Sequence, residues 1–261
     1  MANRISVFAS RLGGLRRCKL HGNPGTPDGR SKGGRTAVKF FKENPDFAKS
    51  VGFVIRKEIT YPRRSANLAE LFGVILGDGG IRNAHQLTIS FNYKTDYEYA
   101  LHVGSIFKKL FAVDYGISKR KAGNGADIVL GSSNLVDFLL KEGIVKGNKV
   151  KNQVAVPRWI CQKFEFSVAC LRGLMDTDGG LYLHHYKSNG KSYEYPKLCF
   201  TNHSKPLLKF VYDCLRRLGY RVYTSDTHVS VYSVTHVREY FQSIGSSNPK
   251  HLDRFSGCFM N

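Results

Sequence analysis

The feature that most constrains this chain is a repetition. The segment LFGVILGDGG at 71–80 returns as LRGLMDTDGG at 171–180, each an apolar helical run ending in Asp-Gly-Gly. The order of elements around each copy repeats as well. In the first copy Ser65 stands at a helix N-cap, and Leu68, Leu71, Phe72, Ile75 and Leu76 share a broad apolar face. QLTISFN alternates Leu87, Ile89 and Phe91 with Thr88, Ser90 and Asn92, the period of a half-buried strand. A helix capped by Thr95 or Asp96, a hairpin through Gly123–Gly125 and a third helix ending at Gly143 follow. The second copy reads the same way, and Ser132 and Ser233 start corresponding helices 101 residues apart. The fold class expected is α+β: two pseudo-symmetric αββαββα repeats at 61–145 and 161–261, joined by a linker at 146–160. Phe91 and Phe200 are taken as equivalent, the longer offset reflecting a longer first hairpin in the second repeat.

The aspartates stand in an awkward place. A helix C-terminus carries partial negative charge, so its last carbonyls repel a carboxylate. Two such cases at matching positions, Asp78 and Asp178, ask for one cause. Gly73 and Gly77 on the first helix, and Gly173 and Thr177 on the second, make a small-residue stripe on each. Such stripes let helix backbones approach closely. If the two helices pack on one another about a pseudo-twofold axis, the carboxylates emerge side by side. A divalent cation relieves that repulsion, and hard oxygen ligands suit Mg²⁺; a shared or protonated structural pair is the plainer alternative.

Charge narrows the partners. The chain has 40 Lys and Arg against 20 Asp and Glu, a net charge of +20. A surplus of that size points to a polyanion, with nucleic acid ahead of an anionic membrane. No apolar run reaches membrane-span length and the start has no secretory pattern, so a cytoplasmic or organellar setting is expected. Six cysteines without CxxC spacing read as reduced thiols rather than a zinc site. Residues 1–60 differ in texture: basic Gly-Gly stretches around HGNPGTPDGR suggest a loosely structured arm with a short helix near TAVKFFKEN. Both a DNA-embracing extension and a solvated tail fit that composition.

On these residues the chain resembles the LAGLIDADG homing endonucleases in their single-chain form, with LFGVILGDG and LRGLMDTDG as the two signature motifs and the likeness running over roughly 65–255. The resemblance implies metal-dependent hydrolysis of one phosphodiester in each strand of double-stranded DNA, across the minor groove. It implies a saddle-shaped antiparallel sheet in each repeat lying along the major groove. Asp78 and Asp178 map to the metal ligands, with backbone carbonyls offered at Gly77 and Thr177. The first motif has Leu76 where the family has an earlier Asp, while the second keeps Asp176; that position is not the usual ligand. Lys149 and Lys250, 101 residues apart in matching turns, are the candidate supporting cations.

The outward residues of the sheets are the candidate DNA contacts: Thr88, Ser90, Asn92, Lys119, Arg120 and Lys121 in the first repeat, and Lys197, Thr201, Arg221, Tyr223, His228, Ser230 and Tyr232 in the second. Because the two sets differ, a long asymmetric target read by a monomer is expected. The alternative is an RNA-binding intron maturase of the same fold, with intron RNA as partner. An intein-embedded nuclease is disfavoured by the initial Met and the missing His-Asn ending, and a purely DNA-binding regulator by the presence of both aspartates.

Overall fold

The computed structural model describes residues 2–22, 25–54 and 56–259. The chain divides into two units, residues 1–56 and 57–261. The first unit is helical: α1 (Ala2–His21), α2 (Pro27–Glu43) and α3 (Pro45–Ser50). The short helix expected near TAVKFFKEN falls within the longer α2, and helices also occupy stretches whose glycines suggested a loose arm. The local reasons can be read at α2, where the Thr26 side chain accepts from the Gly29 amide at 3.1 Å and Pro27 supplies the first helical residue. Phe41 stacks on Phe53 with ring centroids 4.1 Å apart, and Phe40 meets Phe47 edge-on, so four aromatics tie α2 to α3 and the segment after it.

The second unit contains both repeats. The first runs α4 (Ala66–Asp78), β1 (Gly79–Asn83), β2 (Gln86–Asn92), α5 (Tyr97–Phe111), β3 (Gly116–Lys119), β4 (Gly125–Gly131) and α6 (Ser133–Lys141). A short α7 (Arg158–Cys161) leads into the second: α8 (Phe164–Thr177), β5 (Gly179–Ser188), β6 (Lys191–Thr201), α9 (Lys205–Arg217), β7 (Tyr223–Thr224), β8 (His228–Val231) and α10 (Val234–Ser243). A further helix, α11 (Pro249–Phe259), follows. The sheets are antiparallel with matching orders, β1-β2-β4-β3 and β5-β6-β8-β7. Ser65, Ser132 and Ser233 cap α4, α6 and α10 through their side chains, whereas Asp96 stands at the N-cap of α5 without a side-chain capping bond.

Register corrects one equivalence. Gly79 pairs with Ile89, and Gly179 pairs with Phe200. Phe200 thus matches Ile89, two residues before Phe91; a slip of two preserves the inward face because side chains alternate with period two. The inward faces and the helices form one apolar core, with Phe72, Phe107, Phe111, Phe200 and Tyr240 among its fully enclosed side chains.

The helices α4 and α8 cross through their glycines. A Cβ on Gly73 would overlap the Cys170 carbonyl and lie 2.9 Å from the Leu174 amide. A Cβ on Gly173 would overlap the Glu70 carbonyl and lie 3.0 Å from the Val74 amide. The contacts are reciprocal at an offset of 100 residues, the mark of a local twofold. The Asp-Gly ending also has a steric cause. The strand leaves the helix so abruptly that a Cβ on Gly79 would sit 2.6 Å from the Ile75 Cα, and one on Gly179 2.8 Å from the Met175 Cα.

Candidate active site and nucleic-acid interface

Beyond the crossing glycines the two helix ends converge. Gly77 faces the Thr177 side chain, and a Cβ on it would lie 3.5 Å from Asp178 Oδ2. Burial, followed by the neighbouring Asp178 carboxylate, pushes the Asp78 carboxyl up to about 7. Burial also raises Asp178, opposed by Lys149 and by the Asn202 amide, which donates to Asp178 Oδ2 at 2.7 Å. Asp78 lacks the equivalent amide, because strand register puts Phe91 where the second repeat has Asn202.

The two candidate lysines behave differently. Lys149 Nζ donates to the Leu76 carbonyl at 3.0 Å and to the Gly77 carbonyl, so a cation already stands among the oxygens at the end of α4. Burial lowers the Lys149 pKa, while Asp178 and Asp78 hold it up. Lys250 Nζ instead pairs with Asp96 Oδ1 at 2.5 Å. Burial opposes ionisation of Asp96, but hydrogen bonds from Asn248, Lys250 and Thr95 prevail and lower its pKa. Between Asp78 and this pair lies a cavity of about 490 Å³, bordered also by Ser90, Asn92 and Tyr99. The buried Tyr99 hydroxyl has no hydrogen-bond partner among the described residues.

Behind the site runs a buried polar network that joins the repeats. Glu70 on α4 pairs with Arg172 on α8 and accepts from Ser247 Oγ at 2.6 Å. Asp176 accepts from Ser246 Oγ at 2.5 Å and from the Ser247 amide at 2.8 Å. Asn248 donates to Asp96 at 2.9 Å and to the Asp176 carbonyl at 3.3 Å. Burial pushes Asp176 up to about 7 despite these donors. Sequence reasoning missed Glu70, Arg172, Asn202 and Asn248, and gave Asp96 only a capping role. The available signal was a charged residue inside each apolar motif helix, Glu70 and Arg172; nothing local marks the asparagines.

The outer sheet faces carry most of the other candidates. Asn92, Lys119, Arg120, Lys121, Thr201, Arg221, Tyr223, His228 and Tyr232 are exposed; Thr88, Ser90 and Lys197 are half-buried. Arg120 is held by Asp127 at 2.6 Å and by Ser90 Oγ at 2.8 Å, a cross-strand cluster. Lys119 lies 4.8 Å over the Tyr93 ring, Arg221 5.5 Å over Tyr223 and Lys197 5.9 Å over Tyr232. Ser230 is corrected: it is only 6% exposed, paired in register with Cys199 and Tyr223, and its hydroxyl donates to Cys199 Sγ at 3.4 Å. On the long β5–β6 hairpin, His184, Tyr186, Tyr193 and Tyr195 make an aromatic row, with Tyr186 stacked on Tyr193 at 5.1 Å.

Two carboxylates and main-chain carbonyls form a hard-oxygen donor set, and the Lys149 ammonium among them demonstrates that the spot tolerates positive charge. The Asp78 and Asp178 carboxylates with the Gly77 carbonyl therefore fit a divalent cation, while only the side chain of Thr177 is seen at the helix crossing. Among the described residues no group of three His, Cys, Asp or Glu could hold a metal. No described helix is long and apolar enough to cross a membrane.

Comparison with known proteins agrees with this architecture. Residues 165–245 match the LAGLIDADG-like domain. The fold superposes on a point mutant of I-SmaMI with a TM-score of 0.51 and 12% identity, covering 76% of this chain and 90% of that one. On the LAGLIDADG meganuclease I-AabMI bound to uncleaved DNA the TM-score is 0.50 at 12% identity, covering 72% and 88%. I-DmoI in complex with DNA and Mn gives 0.46 at 18% identity, covering 69% and 97%. No curated protein matches the chain in sequence.

Proposed function

Because this chain carries a LAGLIDADG-like domain on the two-sheet fold of the LAGLIDADG homing endonucleases, we propose that it is a site-specific double-stranded DNA endonuclease, encoded in a mobile intron and using Mg²⁺. The observation that carries the reading is the convergence of Asp78 and Asp178 from two related helices onto one buried, oxygen-rich site. A divalent ion held there supplies a Lewis acid for a phosphoryl oxygen and acidifies an adjacent water.

The chain's own groups do the rest. Asp78 and Asp178 anchor the ion, and Asn202 fixes the Asp178 rotamer. Lys149 places fixed positive charge beside the reacting phosphates, where charge builds in the transition state. Lys250, partly exposed and paired with Asp96, adds a second positive charge at the edge of the cavity that Asp78 borders. The exposed polar and basic residues of the two sheets hold phosphates and read base edges. Their difference between repeats supports a long asymmetric target bound by one chain.

The test is a plasmid carrying the intron-free host allele, incubated with protein and Mg²⁺ and in parallel with EDTA. Double-strand cleavage with Mg²⁺ alone is expected. D78N and D178N should each abolish it while retaining DNA affinity; strong cutting by either variant refutes the assignment. Binding and assisted splicing of intron RNA without DNA cleavage would favour the maturase reading.

A further inference from the structure

The helix α2 lies outside both repeats and outside the matched LAGLIDADG-like domain, and nothing in the catalytic reading uses it. Its surface is divided by chemistry. Lys32, Arg35 and Lys39 recur at i, i+3 and i+7, and Lys42 continues the row one turn on. Such spacing puts all four on one face. Asp28 and Glu43 stand near the two ends of the helix, so the middle of the row has no acid of α2 beside it. Gly33, Ala37 and Phe40 lie round the helix from the row and border a shallow hollow with Lys32 at its edge, and Phe41 is turned into the stack with Phe53. Residues 1–56 as a whole carry twelve Lys and Arg against three Asp and Glu.

We infer that the Lys32–Arg35–Lys39 face of α2 is a second docking surface for duplex DNA, one that grips phosphates without reading sequence. Three like charges spaced along one helix face repel each other in the free protein, and a line of phosphates removes that cost. The partner is nucleic acid rather than an anionic membrane because α2 offers little to insert. Val38 and Phe40 are the exposed bulky apolar side chains of α2, and Phe41 is half-buried in its stack, whereas an interfacial helix needs a continuous bulky apolar face. The three side chains are exposed, so replacing them leaves the aromatic cluster of this unit intact.

The inference extends the nuclease reading by adding affinity that owes nothing to the target sequence, and it is tested separately from it. The full-length protein and the triple variant K32Q/R35Q/K39Q are compared for binding to a random-sequence duplex of about 30 base pairs in EDTA, between roughly 50 and 200 mM salt. Loss of three phosphate contacts lowers the slope of log affinity against log salt by about 3, and affinity near 0.1 M salt by on the order of 10²-fold. Unchanged slope and affinity overturn the inference. So does a variant that keeps DNA binding but loses binding to phosphatidylserine vesicles. Plasmid cleavage with Mg²⁺ is measured alongside: a wild type that binds with the larger slope yet never cuts leaves this inference standing and removes the nuclease reading.

Discussion

Replacing Asp78 by asparagine should stabilise the metal-free protein while destroying its activity, and the size of the effect follows from the site. The carboxyl sits at about 7 in the folded chain against an ordinary 3.8, mainly because burial disfavours its charged form. A displacement of that size carries about 4 kcal/mol of differential free energy. The sign is set by linkage. Below about pH 4 the group is protonated in both folded and unfolded chains and contributes no difference. As pH rises from about 4 to about 7 the unfolded chain loses this proton first, so folded stability falls, and the penalty is complete above about pH 7. Asparagine cannot ionise and escapes it. For a unit of this size about 4 kcal/mol corresponds to roughly 8–16 °C in Tm, a ceiling that relaxation of the site will lower. The assay is thermal unfolding of wild type and D78N in EDTA at about pH 4 and about pH 8, on either side of that window. The variant should melt near wild type in acid and well above it in mild alkali, and added Mg²⁺ should stabilise the wild type far more than the variant. An equal offset at both pH values, or a variant less stable at the higher one, refutes the reasoning.

Three further outcomes follow from the same geometry. Gly73→Ala places a methyl against the Cys170 carbonyl and should cost about 1–3 kcal/mol or more, read as a lower denaturant midpoint, whereas Gly80→Ala meets open space and should not. Lys149→Met removes the cation from the α4 carbonyls and should lower cleavage on the order of 10²-fold with DNA affinity little changed, measured by single-turnover kinetics and binding. Arg172→Met strands the buried Glu70 carboxylate and should cost about 3–5 kcal/mol in urea unfolding; a loss below about 1 kcal/mol would mean that Glu70 finds another partner.

Much of this was legible in the chain because duplication repeats each signal. The Asp-Gly-Gly endings, the capping serines at 65, 132 and 233, and the period-two strands all appear in the structure where the pattern placed them. The strand equivalence slipped by two because length differences hide in hairpins and alternation is blind to an even shift. Ser230 misled because strand parity gives the face but not what covers it. In residues 1–56 only the helix near TAVKFFKEN was legible; α1 and the first half of α2 were hidden by Gly13, Gly14, Gly33 and Gly34, which lower helix propensity, while capping at Thr26 and the phenylalanine cluster override it at α2. Asn202 and Asn248 were invisible, since their partners lie 24 and 152 residues away.

The charged contacts behind the motif helices break the symmetry that the glycines keep. Glu70 has Cys170 as its counterpart, Phe72 has Arg172, and Leu76 has Asp176. A homodimer of the first half would therefore enclose two glutamates with no arginine, and one of the second half two arginines facing cysteines. Each half has acquired a complement that only the other supplies. Divergence of the two copies works as a ratchet: the way back to a symmetric protein now passes through unpaired ions in the core, and each half must meet the other rather than a copy of itself.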